Sequence, residues 1–197
     1  MQPHSDVRTR KQMLQTKDFR VPSFRIGETA LKVLALEAGV FRTILKEGTS
    51  LAQALAIVLL GAVASAVGML DDSGISTFAP TMIIAVFGWV VWSWLIYVLG
   101  THLPARVFPK SATPKMRSVF IVIGFAQVPA ILRAVGIVSS LGPMIAILSL
   151  IWIIAAMAVG TNQLFGTKSL ARSAIVVLIS LIPYLMIVGG FTLLTTS

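Results

Sequence analysis

Residues 51–70 read LAQALAIVLLGAVASAVGML. The stretch holds no charge, and Gln53 is its one strongly polar side chain. At ~1.5 Å per residue, a helix of this length covers the ~30 Å hydrocarbon core of a bilayer. A water-facing helix keeps a polar face, and this one has none, so the stretch reads as a transmembrane helix. Its flanks differ. The segment before it is basic, whereas Asp71 and Asp72 follow it and no Lys or Arg appears again until Arg106. Lys and Arg accumulate in cytoplasmic loops, so this asymmetry orients the helix and every span after it.

The whole chain carries the same signature. Of its 197 residues 56% are hydrophobic and 12% are charged, with a mean hydropathy of +0.91. Soluble domains are ~45–50% apolar and ~25% charged. The formal charge of +9 sits in loops and tail, where it suits a membrane surface rather than a nucleic acid. Cysteine is absent, which excludes disulfides, thiol chemistry and Cys-ligated metals. The N-terminus lacks the apolar core of a cleavable signal peptide, so the first span is expected to drive insertion.

These features predict an all-α polytopic membrane protein: a five-helix transmembrane bundle preceded by an amphipathic helix. Residues 1–24, with Pro3 and Pro22, are expected to form a disordered basic tail. Residues 25–47 have helical spacing, with Leu31, Leu34, Ala38, Phe41 and Leu45 on one stripe. Arg25, Glu28, Lys32, Arg42 and Lys46 fall largely off that stripe. Such a helix can lie in the membrane interface; the alternative is packing on its own protein. Residues 48–197 hold the spans, at about 51–70, 79–99, 118–138, 144–162 and 173–194. In the second, Trp94 and Tyr97 suit an interfacial belt, while Trp89 lies deeper and suits helix packing.

The distribution of Lys and Arg checks the count. The segment before the first span has nine, the loop after it none, and the next loop four: Arg106, Lys110, Lys115 and Arg117. The following hairpin has none, the loop after it has Lys168 and Arg172, and the C-terminal end has none. This alternation obeys the positive-inside rule throughout and places the N-terminus in the cytoplasm and the C-terminus outside.

Little in the chain suggests catalysis. No acidic residue lies within an expected span, and the only histidines are His4 and His102. Neither a metal constellation, a bound cofactor nor a nucleophile with a base can be assembled from them. Arg133 is the one charge inside a span, about 22 Å from the cytoplasmic start of its helix by the helical rise. It is expected either to snorkel to headgroups or to pair with Asp71 or Asp72. Gln127 is expected to hydrogen-bond a neighbouring helix, and Pro129 and Pro183 to kink theirs. Gly61 and Ser65, and Ala64 and Gly68, are small residues four apart that permit close helix contact, within the chain or with a second copy.

The third span, FIVIGFAQVPAIL (120–132), the fourth span with Trp152 and its exit AVGTNQLFGTKSLARSAIVVLI resemble the YIP family of Ypt- or Rab-interacting membrane proteins. Gly124, Pro129, Gly160, Gly166, Thr167 and Lys168 carry the motif-like part of that resemblance. The segment before Leu51 has no tyrosine and so lacks the Tyr-Gly-Pro motif of the eukaryotic branch. This points to a prokaryotic member in a bacterial inner membrane. The resemblance implies a non-enzymatic adaptor or membrane organiser. The basic face of Arg106, Lys110, Lys115, Arg117, Lys168 and Arg172 would meet anionic lipid headgroups, and helix packing would take a second copy or another membrane protein. The competing reading is a small oligomeric transporter or channel with its site near Gln127, Pro129, Arg133 and Pro183.

Overall fold

The computed structural model describes residues 26–46, 51–68, 78–104, 113–137, 141–167 and 169–196. Two short helices come first, α1 (Ile26–Leu34) and α2 (Ala38–Lys46). Then follow α3 (Leu51–Val67), α4 (Phe78–His102) and α5 (Met116–Phe125), which continues as a 3₁₀ segment (Val128–Ile137). The long helices α6 (Gly142–Phe165) and α7 (Leu170–Thr196) complete the chain.

Side-chain contacts fix how these elements run. Ala54 abuts Gly124, Gly61 abuts Ala130 and Gly68 abuts Arg133, so α3 is parallel to α5 and its 3₁₀ continuation. Gly160 lies against Val122 and Ser149 bonds the Pro129 carbonyl, so α6 runs back. Trp92 meets Ser180 and Phe87 meets Phe191, so α4 and α7 are antiparallel. Gly100 sits against Phe165. One end of the bundle, here called proximal, therefore gathers Leu51, His102, Met116, Phe165 and Leu170. The distal end gathers Gly68, Phe78, Gly136 and Gly142.

The interior is filled by Phe41, Ile57, Ile96, Ile123, Phe125, Met157 and Phe165, all fully buried. The outer faces are apolar too. Ile147, Ile151, Ile182, Leu185 and Met186 are exposed along α6 and α7, which fits helices that meet lipid rather than water. Four segments are long and apolar enough to cross a membrane: Phe78–His102, Met116–Gly136, Gly142–Phe165 and Leu170–Leu194. The opening stretch forms α3, a shorter apolar helix of 17 residues, and Gly68 adds one bond to the Ala64 carbonyl at 3.0 Å. Met69 and Leu70 lie outside the described residues, as do the 1–24 tail and Asp71 and Asp72.

Two expectations are corrected. The single helix expected over 25–47 is two helices. Leu36 takes a left-handed conformation with φ 55°, the backbone N–H of Leu36 bonds the Val33 carbonyl, and that of Glu37 bonds the Lys32 carbonyl. This is a Schellman stop, with leucine where glycine is usual. The break reorients the two halves, so the expected stripe does not persist. Val33, Val40, Phe41 and Ile44 are buried, whereas Leu31 is 68% exposed. In the third span Pro129 ends the α-helix instead of only bending it. It has no N–H for the Phe125 carbonyl, and the turn tightens through Gln127 N–H to Gly124 O at 3.1 Å and Ala130 N–H to Gln127 O at 2.8 Å. Pro183 lies inside α7, which runs on to Thr196.

Candidate functional site

Two polar clusters interrupt the apolar bundle. The distal one centres on Arg133. Its Nε–H donates to Ser149 Oγ at 3.2 Å and its Nη1–H to Ser65 Oγ at 3.4 Å. Both hydroxyl protons are already engaged. Ser65 donates to the Gly61 carbonyl at 2.8 Å and Ser149 to the Pro129 carbonyl at 3.0 Å. Each hydroxyl thus turns its oxygen to the guanidinium as a pure acceptor. The backbone makes this reach short, because a Cβ at Gly68 would overlap the Arg133 carbonyl oxygen. Tyr184, on α7, lies within electrostatic reach of Arg133 and stacks on Trp92 with ring centroids 4.3 Å apart. Trp92 in turn donates to Ser180 Oγ at 2.9 Å.

The proximal cluster is built from the TNQLFGT stretch. The left-handed Gly166, with φ 60°, terminates α6. This turn lets Asn162 Nδ2 donate to both the Thr167 carbonyl at 2.9 Å and Thr167 Oγ1 at 2.6 Å. Thr167 Oγ1 also meets Ser173 Oγ at 2.9 Å on α7. Gln163 donates to Asn162 Oδ1 at 3.3 Å and accepts from Arg42 Nε at 2.6 Å. One chain of hydrogen bonds therefore links α2, the end of α6 and the start of α7. A second tie joins α1 to the bundle: Trp152 Nε1 donates to the Leu34 carbonyl at 2.9 Å.

The structure brings some expected residues together and leaves others apart. Arg133 and Pro129 share the distal cluster through Ser149. Gln127 is half-buried, but its amide has no hydrogen-bond partner among the described residues, contrary to the expected interhelical bond. Pro183 is one residue from Tyr184 on α7. Lys115, Arg117 and Arg172 are exposed at the proximal end. Arg106, Lys110 and Lys168 lie outside the described residues, and so does an Arg133 pair with Asp71 or Asp72. Trp89 packs on α5 as expected, donating to the Phe120 carbonyl at 3.0 Å with a T-shaped ring contact at 5.4 Å. Sequence reading missed Ser65 and Ser149 as partners of Arg133. Both are small hydroxyls within apolar runs, and only the distances between helices single them out. Gly61, Ser65 and Gly68 use their small size within the chain, against the 3₁₀ segment.

No group of three or more His, Cys, Asp or Glu that could hold a metal occurs among the described residues. An apolar groove of about 560 Å³ between α3 and α4 is lined by Leu59, Met82, Ile83, Val86, Phe87 and Val90, none of which offers a reactive group. Apolar outer faces, four membrane-length segments and internal hydroxyl clusters define the class: a multi-pass, all-helical membrane protein. The family model for the Yip1 domain matches residues 31–191. The chain belongs to the Yip1 family, which is not known as enzymatic. No curated protein and no solved structure matches the chain.

Proposed function

We propose that the chain is a non-enzymatic membrane adaptor and organiser of a bacterial inner membrane. In this reading α3 is a fifth crossing, the basic proximal end faces the cytoplasm and the C-terminus lies outside. The observation that carries the reading is the Arg42–Gln163–Asn162–Thr167 chain of hydrogen bonds. It ties the N-terminal helices to the α6–α7 turn and so makes one fixed surface from separate segments. Exposed Lys115, Arg117 and Arg172 border that surface, and Arg106, Lys110 and Lys168 adjoin them in sequence. Near an anionic leaflet each such charge is worth about 1 kcal/mol. Residues 25–47 act as the part that meets partners and headgroups, and residues 48–197 as the membrane anchor.

The test is purification of the full chain in native nanodiscs, followed by mass spectrometry of what stays bound. A reproducible membrane-protein partner, with anionic lipid lost in the K115Q/R117Q/R172Q variant, supports the adaptor. A homo-oligomer that passes ions or solutes when reconstituted overturns it in favour of a channel or transporter. Reporter fusions at the C-terminus test the orientation, and a cytoplasmic reading there refutes the five-crossing topology.

A further inference from the structure

Arg133 is a permanent cation set inside an apolar bundle. Ser65 lies three residues from Gly68, so the guanidinium sits ~5 Å inside the end of α3 by the helical rise. Ser149 lies seven residues after Gly142, ~10 Å inside the start of α6. The groups that hold it are neutral. Ser65 and Ser149 accept from it and give their own protons to carbonyls, so they orient the cation without balancing its charge. Among the described residues no carboxylate lies within ion-pair distance of Arg133; the ion pair found there is Lys32–Glu28 on α1. Three of its N–H groups, one on Nη1 and both on Nη2, have no partner among the described residues. The side chain is half-buried among the described residues.

A guanidinium held by its Nε and Nη1, with no carboxylate partner among the described residues, is a preformed fork for an oxyanion. We propose that the distal end holds an anion site in which the open donors of Arg133 receive a phosphate-type oxygen, with Ser65 and Ser149 as positioning residues. A lipid headgroup and free phosphate share this chemistry. The site is separate from the proximal basic face, at the opposite end of the bundle, and stands whether or not the adaptor reading does.

The experiment uses the full chain in nanodiscs with the K115Q/R117Q/R172Q background, which removes three of the proximal cations, and each Arg133 variant is read against that background. Retention of phosphatidylglycerol against phosphatidylcholine is read by native mass spectrometry. The melting temperature is followed as inorganic phosphate replaces chloride at fixed ionic strength. Retention without a phosphate response assigns a headgroup, and a phosphate response without retention assigns a free anion. R133Q is expected to weaken whichever is seen roughly ten- to hundredfold, the usual worth of charge-assisted hydrogen bonds. R133K keeps the charge and is expected to retain weakened binding, which guards against a folding defect in R133Q. D71N/D72N is expected to leave binding intact. The absence of both lipid retention and a phosphate response in the protein with Arg133 intact overturns the site. So does a stability loss in D71N/D72N equal to, and non-additive with, that of R133Q, because the counter-charge is then internal.

Discussion

The clearest quantitative handle is the bond between Trp152 and the break in the N-terminal segment. A helix leaves its last four carbonyls without intrahelical partners. In α1 those belong to Leu31, Lys32, Val33 and Leu34. The first three are met by the backbone N–H groups of Ala35, Glu37 and Leu36. The fourth is met by Trp152 Nε1 at 2.9 Å. Trp152 lies ten residues into α6, ~15 Å from its start by the helical rise. The bond lies exposed on the surface of the bundle beside the middle of α6, and against lipid a lost donor is not readily replaced. Trp152→Phe keeps the ring and removes the N–H. A net loss of about 1–2 kcal/mol is expected, so the open state of the N-terminal segment should rise roughly five- to thirtyfold. The chain has no cysteine, so Val40→Cys supplies a single thiol on the buried face of α2. Its labelling by N-ethylmaleimide reports the opening. Phe41→Ala, which removes a fully buried ring at a cost of about 3–5 kcal/mol, serves as the positive control. If Trp152→Phe labels at the unsubstituted rate while Phe41→Ala labels faster, the tie does not hold the segment and the reasoning fails.

Other substitutions probe the bundle. Gly68→Ala should lower the melting temperature in detergent, because its Cβ would overlap the Arg133 carbonyl and overpacking costs about 1–3 kcal/mol. Gly189→Ala, which meets nothing within 4 Å, should be neutral or raise it. Asn162→Ala leaves Thr167 without two of its bonds and should destabilise by about 1–3 kcal/mol, seen as an earlier loss of helical circular dichroism on heating. Ser180→Ala strands the buried Trp92 N–H and should cost a similar ~1–3 kcal/mol, whereas an alanine at exposed Thr43 would not, if buried pairing is the cause.

Much was legible in the chain because a bilayer allows few solutions. Uncharged runs of about 20 residues have to become helices, since every backbone group must be bonded within the segment. The four membrane-length segments, the burial of Trp89 and the family follow from such runs and from the stretches around Pro129 and Thr167. Local rules reached less far where two of them competed. The apolar spacing of 25–47 reads as one helix, yet the turn at Leu36 divides it. Pro129 reads as a kink, yet the missing N–H turns the rest of the span into a 3₁₀ segment. Pairings depended on tertiary structure alone. Arg42 with Gln163, Trp152 with Leu34, and Arg133 with Ser65 and Ser149 are 121, 118, 68 and 16 residues apart. The sequence by itself settled which segments prefer lipid to water, because that preference is a property of each residue. Only the packed bundle decided which polar groups meet, because a hydrogen bond depends on distances between helices that no single segment specifies.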